Sequence, residues 1–225
     1  MNSSSAQNIH LGPSLKIFHL NIEGISQAKS DSSCRILHEE DIDVAHIQET
    51  HAHSYSDLQK RGLIPGYTLV DAIYSNIYGL ATYVKESLAP CSTVYKSAPN
   101  DLEVLVVAID GILTANVCKP PLMQWPSVPL PVFPQPIVYC GDFNSHNEAW
   151  GYEHNDQNGN ALLEWIHCKI KSPATRKYSF LKEFSLAWDH IFVNVPPKAS
   201  RFSLFSTRTC WIWKENLRKT ISWQS

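Results

Sequence analysis

Three polar side chains follow a short apolar run past the middle of the chain. Residues 136–140 read Pro-Ile-Val-Tyr-Cys, and residues 141–146 read Gly-Asp-Phe-Asn-Ser-His. An apolar run opened by proline and closed by glycine predicts a buried strand, and layered α/β proteins bind ligands beyond the carboxyl ends of their strands. If the tip is extended, Asp142, Asn144 and His146 lie on one side of it, where they suit a hydrated metal ion and a phosphate. The alternative is a solvated turn closed by an Asx hydrogen bond.

Polar side chains stand at three further strand boundaries in the same way. They are Asn21 with Glu23, then Glu49, then Asp189 with His190. One such residue indicates little, but four separate strands that deliver polar side chains indicate a single cleft. Glu49 is the strongest metal candidate, because Mg²⁺ prefers oxygen ligands and takes only one or two protein carboxylates.

The elements that must position these residues alternate between strands and helices. Hydrophobic patterning predicts strands at residues 15–21, 43–48, 66–74, 77–84, 102–109, 112–117, 136–140 and 190–195, and helices at residues 27–40 and 158–168. The Pro-rich stretch 119–136 predicts a surface excursion without regular structure. The predicted domain therefore spans residues 15–197, between a disordered lead (residues 1–14) and a basic, Trp-rich tail (residues 198–225).

Composition limits the classes of function. Apolar residues make up 44% of the 225 residues and charged residues 18%, which is typical of a globular protein. The net charge of −2 excludes a global basic field, so a nucleic acid would be held by a local patch or a metal. We expect no membrane span, no stable protein partner and no secretion. The six cysteines form no C-x-x-C pair and favour a reduced, intracellular protein, either nuclear or cytoplasmic.

Several ordered motifs resemble one family of enzymes. They are residues 20–25 (LNIEGI), 48–51 (QETH), 78–83 (YGLATY), 119–121 (KPP), 125–126 (WP), 141–146 (GDFNSH), 150–152 (WGY), 158–159 (NG) and 163–165 (LEW). This set resembles the endonuclease/exonuclease/phosphatase superfamily. More narrowly, it is similar to the endonuclease domain of jockey-type non-LTR retrotransposons, as an apparently truncated or decayed copy. The resemblance covers roughly residues 15–168.

The resemblance implies an α/β fold and a reaction. The fold is a four-layer α-β-β-α sandwich of two packed mixed sheets, incomplete near the C-terminus. The reaction is hydrolysis of a DNA phosphodiester, dependent on Mg²⁺ or alternatively Mn²⁺, which nicks the DNA. The metal candidates are then Glu49, Glu23 and Asp189.

The resemblance also implies roles for four other side chains. Asn21 would donate to the scissile phosphate or orient a carboxylate, and Asp142 would orient and activate the attacking water. Asn144 would hydrogen-bond the same water or a phosphate oxygen. His190 would hold a phosphate oxygen or take a proton from water.

Three departures from the family pattern weaken the expected activity. Cys118 stands where a tyrosine commonly faces the phosphate, and a thiol is a weak donor. The interval between Asp142 and His190 is shortened at residues 169–188, with no match there for an Asp that would orient the histidine. The basic tail (residues 198–225) replaces the usual C-terminal segment of the family. We therefore weigh a weakened endonuclease against a catalytically inactive DNA-binding remnant and a phosphatase of the same superfamily.

Overall fold

Two β-sheets pack face to face in the computed structural model, which describes residues 14–88, 90–134, 136–169, 189–194, 201–206 and 220–221. The first sheet holds strands β1 (Ser14–Asn21), β2 (Val44–Gln48), β3 (Tyr67–Ile73), β4 (Leu80–Lys85), β10 (Arg201–Ser206) and β11 (Thr220–Ile221), in the order β11-β10-β1-β2-β4-β3. The second sheet holds β5 (Cys91–Ser97), β6 (Glu103–Ile109), β7 (Ile112–Cys118), β8 (Ile137–Asp142) and β9 (Asp189–Asn194), in chain order.

Both sheets are mixed, and their strands face each other in pairs. Strand β1 runs parallel to β2 and β10, and β7 runs parallel to β8, whereas the other pairings are antiparallel. Across the sandwich, β1 packs on β8, β2 on β7 and β4 on β6. The ends of strands from different parts of the sequence therefore meet at one mouth of the sandwich.

Helices cover the outer faces of the two sheets. Helices α1 (Gln27–Glu39) and α2 (Tyr55–Arg61) cover the first sheet, where Leu37 and Leu58 belong to the same buried apolar cluster as Phe18. Helix α3 (Gln157–Lys169) covers the second sheet and buries Leu162 and Trp165. The predicted four-layer α-β-β-α sandwich of two mixed sheets is confirmed. Within the described residues, no helix is long and apolar enough to cross a membrane.

The layer between the sheets changes from apolar to polar along the strands. Because side chains alternate along a strand, Ile17, His19 and Asn21 of β1 share one face. Ile17 belongs to the apolar core between the sheets, whereas His19 is a buried polar residue and Asn21 reaches the mouth. Deep in this layer, burial and the neighbouring His19 lower the pKa of His46 to about 3, which leaves its ring neutral at physiological pH. The polar half of the layer is thus the floor beneath the mouth.

Helix α2 and strand β5 were not predicted. Helix α2 has only seven residues, too few to show a helical period, and its start depends on the Ser54 hydroxyl, which accepts from the Asp57 amide over 3.2 Å. Strand β5 is largely exposed at the edge of its sheet, so no continuous apolar face marks it in the sequence. The connection between β3 and β4 is also longer than the two-residue turn expected at residues 75–76.

Part of the predicted tail adds to the first sheet. Strand β10 pairs in parallel with β1 over six residues, and β11 pairs with β10. This pairing extends past residue 197, where we expected the domain to end, and the boundary itself stays a prediction. The shortened interval at residues 169–188 lies outside the described residues, apart from Lys169 at the end of α3.

Candidate active site

Asn21 and Asp142 meet at the mouth of the sandwich. Asn21 is the last residue of β1 and Asp142 the last of β8. The Asn21 Nδ2 donates to Asp142 Oδ2 over 3.3 Å, and each residue is only 5% exposed. The Asn21 Oδ1 accepts from the Glu23 amide over 3.1 Å, and Asp142 Oδ1 accepts from the Asn144 amide over 3.2 Å. The Asx turn weighed as an alternative is therefore present, but its aspartate is buried rather than solvated.

Glu49 stands directly after β2 on a strained turn. Its φ of 51° lies in the left-handed region, which non-glycine residues rarely adopt. Its carbonyl accepts from the Gly24 amide over 2.7 Å, and the next residue donates from its amide to Gly79 O over 3.0 Å. Arg61 of α2 donates to the carbonyls of Ile25 (2.7 Å) and His51 (2.9 Å). Several elements therefore hold the short segment that carries Glu49.

The Asp142 and Glu49 carboxylates interact electrostatically. Burial, followed by the negative charge of Glu49, raises the pKa of Asp142 to about 7, although hydrogen bonds from Asn144 and Asn21 oppose the rise. Two carboxylates that share a partly buried cleft favour either a shared proton or a bound cation. The His51 Nε2 lies 3.9 Å from Glu49 Oε2 at the side of this cleft.

The expectation that residues 142–146 form an extended tip is wrong. Asn144 has a φ of 42°, and this left-handed conformation breaks the two-residue alternation. The Asn144 Nδ2 donates to the carbonyl of Lys119 over 2.7 Å. The His146 ring instead stacks on Tyr152 at 4.5 Å between centroids, and its Nδ1 lies 3.6 Å from Asp156 Oδ2. Asn144 thus lies beside Asp142, whereas His146 turns toward the loop before α3.

Glu23 stands at the rim of the cleft. It is exposed and adopts a left-handed φ of 48°. Its amide orients Asn21, and its carbonyl accepts from Lys29 Nζ over 2.8 Å. The described contacts of Glu23 are therefore made by its backbone, and the assignment of its carboxylate to a metal stays a prediction.

Strand β9 brings Asp189 and His190 to the same mouth by its register. In the antiparallel pairing with β8, Asp189 lies opposite Asp142 and His190 lies opposite Gly141. Gly141 has a φ of 144°, and a Cβ there would come within 1.9 Å of Val117 O, so only glycine fits this close approach of β7 and β8. This register brings the backbone of both residues beside the end of β8, and the roles of Asp189 and His190 in the site stay predictions.

Two charged residues near the mouth were not assigned a role from the sequence. Glu103 begins β6 and is 2% exposed, and both of its carboxylate oxygens accept from the Gly79 amide, at 3.0 and 2.8 Å. Lys119 is fully buried, with Nζ donating to the carbonyls of Pro120 (2.9 Å) and Met123 (2.8 Å). Burial lowers the pKa of Lys119 to about 8. In the sequence, Glu103 is marked only by its adjacency to an apolar strand, whereas Lys119 also begins the Lys-Pro-Pro motif.

Cys118 lies between two of these carboxylate positions. As the last residue of β7, it is opposite Glu103 of β6 and opposite Asp142 of β8 in the sheet register. It is 1% exposed and belongs to the apolar cluster between the sheets. The backbone of Cys118 is therefore at the mouth, whereas its thiol is packed in the core, and its correspondence to a tyrosine that faces the phosphate stays a prediction.

The donor set at the mouth fits a hard divalent cation. Asp142 and Glu49 contribute carboxylate oxygens, and a cation between them would oppose both causes of the raised pKa of Asp142, which are chiefly its burial and then the charge of Glu49. Among the residues that the structure describes, no three His, Cys, Asp or Glu side chains gather as a ready-made metal cage. Mg²⁺ typically uses one or two carboxylates and keeps several waters, so the pair of carboxylates matches Mg²⁺ in number and type.

Comparisons with known proteins give a family match. The model of the "Endonuclease/Exonuclease/phosphatase family" matches residues 18–209. No curated protein matches the chain. Solved structures of similar fold include the endonuclease domain of TRAS1, a telomere-specific non-LTR retrotransposon (15% identity, 67% of this chain and 70% of that one, TM-score 0.47).

Two further solved structures extend the range of similar proteins. They are an AP endonuclease from Archaeoglobus fulgidus (17% identity, 68% and 70% coverage, TM-score 0.48) and a mannosyl-6-phosphatase from Bacteroides thetaiotaomicron (14%, 85% and 89%, 0.48). The family match spans most of the chain, from β1 to beyond β10. The protein therefore belongs to the endonuclease/exonuclease/phosphatase family, whose members hydrolyse phosphate esters.

Proposed function

We propose that this protein is a Mg²⁺-dependent endonuclease that nicks DNA, with weakened activity. The observation that carries the proposal is the buried Asn21–Asp142 hydrogen bond beside Glu49 at the mouth of the sandwich. An amide donor, a carboxylate with a raised pKa and a second carboxylate are the groups that hydrolysis of a phosphodiester requires.

Asp142 is suited to act on the attacking water. With its pKa raised to about 7, its carboxylate accepts a proton more readily than an exposed aspartate does at the same pH. Asn21 holds this carboxylate through Nδ2 and presents its amide to the same space. Asn144 lies beside Asp142 with its Nδ2 bonded to the Lys119 carbonyl, and from this position its amide would contact the water or a phosphate oxygen.

Glu49 would hold the divalent ion, with Asp142 facing it across the cleft. When bound, such an ion neutralises charge on the phosphate and polarises the bond to be broken. His190 and Asp189 of β9 would complete the site, with His190 assigned to the phosphate and Asp189 to the metal, and the support for this is the register of β9 beside β8. Glu23 at the rim is a further candidate ligand.

DNA is the proposed substrate because the ordered motifs match retroelement endonucleases more fully than phosphatases. The net charge of −2 implies that binding depends on local groups, so affinity should decrease as salt increases. A phosphatase of the same family and a DNA-binding remnant without activity are the competing functions.

The deciding experiment is nicking of supercoiled plasmid with Mg²⁺ by the wild type and by Asp142→Ala and Glu49→Ala. We expect slow nicking by the wild type, abolished by EDTA and by either substitution. Equal behaviour of all three proteins would overturn the proposal. Plasmid binding without nicking would identify the remnant, and turnover of a soluble phosphomonoester without nicking would identify the phosphatase.

A further inference from the structure

Hydrogen bonds connect the two sheets near the mouth at several points, three of which involve residues at or next to the site. Asn21 of β1 bonds Asp142 of β8, and Gln48 Nε2 of β2 donates to Asn116 Oδ1 of β7 over 2.6 Å. The third connection joins Glu103, at the start of β6, to the amide of the residue before β4. The first connection joins two predicted site residues, and the second joins two buried polar residues. The third uses the buried carboxylate of Glu103, which has no assigned role.

The third connection leads directly to the segment that carries Glu49. Gly79, which donates its amide to Glu103, accepts from the Thr50 amide through its own carbonyl over 3.0 Å. The preceding carbonyl, of Tyr78, accepts from the His51 amide over 2.8 Å. Two consecutive peptides before β4 thus fix the two residues that follow Glu49.

The segment before β4 packs closely against the segment that follows Glu49. Gly79 has a φ of +95°, and a Cβ at this position would lie 2.6 Å from Thr50 Oγ1. The close approach therefore requires glycine. Because Glu49 itself has a left-handed φ of 51°, its conformation depends on the bonds that its neighbours make on either side.

We propose that Glu103 is a positioning residue that sets the place of Glu49 relative to Asp142. Glu103 and Asp142 both belong to the second sheet. Glu103 accepts from the amide of Gly79, which lies just before β4 of the first sheet. Gly79 in turn holds the Glu49 segment through its carbonyl. An apolar side chain in this place would pack between the sheets without fixing the Gly79 peptide. The inference rests on the proposed function, in which Glu49 binds the metal ion.

The test compares Glu103→Ala with Glu103→Gln, using Leu105→Ala as the matched control. Leu105 is fully buried in the same strand and faces the same layer two residues later, so its truncation destabilises the core without cutting the connection. Gln at 103 keeps an acceptor oxygen for the Gly79 amide. Each variant is measured for amide exchange at Thr50 and His51 and for the Mg²⁺ concentration that gives half-maximal nicking.

We expect Glu103→Ala to speed exchange at these two amides about tenfold or more and to raise the half-maximal Mg²⁺ concentration by a similar factor. Glu103→Gln should restore most of both properties, and Leu105→Ala should lower the melting temperature with little change in either. The inference is overturned if Glu103→Ala leaves exchange or Mg²⁺ dependence unchanged, or if Leu105→Ala reproduces both effects. If the wild type does not nick DNA, the proposed function fails, and exchange at Thr50 and His51 still decides whether Glu103 holds the segment.

Discussion

The amide of Asn21 donates to the carboxylate of Asp142 over 3.3 Å, although 121 positions separate them in the chain. Each residue ends its strand, and the Oδ1 atom of each accepts from the amide of the residue two positions later. The bond from Glu23 to Asn21 Oδ1 fixes the orientation of the Asn21 amide, so that Nδ2 faces Asp142. Two local turns and one long-range bond thus place a donor and a buried carboxylate together.

Replacing Asp142 tests its part in the reaction. We expect Asp142→Asn to keep the fold, because Asn has the same shape and retains an acceptor for one of the two donors, and to reduce nicking about 10²–10⁴-fold through loss of the proton acceptor. The matched control is Asp31→Asn on the exposed face of α1, which should nick at the wild-type rate. Initial rates on supercoiled plasmid at saturating Mg²⁺ provide the measurement, and a wild-type rate for Asp142→Asn would remove Asp142 from the mechanism.

Replacing Glu49 should change the pH dependence of nicking. Because the charge of Glu49 helps to raise the pKa of Asp142, Glu49→Gln should move the acidic limb of the pH–rate profile to lower pH. The same variant should need more Mg²⁺ for half-maximal rate. Glu86→Gln, an exposed residue after β4, serves as the control. An acidic limb that stays in place would mean that the two carboxylates do not interact in the working enzyme.

The metal-free protein should lose stability as the pH rises. Asp142 and Glu103 have pKa values raised to about 7 from ordinary values of 3.8 and 4.5, chiefly by burial. The folded state therefore holds protons that the unfolded state has released, so the free energy of unfolding decreases between about pH 4 and pH 7 and stays low above this range.

For Asp142 the decrease is on the order of 2–4 kcal/mol. Asp142→Asn should flatten this part of the curve, whereas Asp31→Asn should not. Urea unfolding in EDTA at pH 5 and pH 8 measures both variants. A wild-type protein that is equally stable at the two pH values, after correction with Asp142→Asn, would contradict the raised pKa.

Replacing Cys118 by tyrosine should increase the rate of nicking and decrease the stability of the fold. Cys118 is buried at the mouth between the positions of Glu103 and Asp142. Cys118→Tyr should overpack this layer by about 1–3 kcal/mol, and its hydroxyl should add one hydrogen bond to the phosphate, which raises nicking roughly 2–10-fold. Cys118→Ala, which offers no donor, should show no gain. A folded Cys118→Tyr protein with an unchanged or lower rate would show that the side chain does not reach the substrate.

The sequence by itself determined the regular elements with strong periodicity and the polar residues at their ends. Strands β1, β2, β6, β7 and β8 and helices α1 and α3 lie close to their predicted positions, because buried strands and amphipathic helices carry local patterns. For the same reason Asn21, Glu49 and Asp142 could be singled out as strand-end residues before any contact between them was known. The motifs, taken together, also gave the four-layer fold.

Only the tertiary structure decided which of these residues meet and what surrounds them. Nothing in the sequence marks Glu103 as buried, and its burial depends on the amide of Gly79, which lies just before β4 of the facing sheet. The left-handed turn at Asn144, which separates His146 from Asp142, depends on the distant carbonyl of Lys119. The burial and pKa of a site residue and the strain of its backbone depend on partners that are far away in the chain. Local sequence patterns therefore do not predict them.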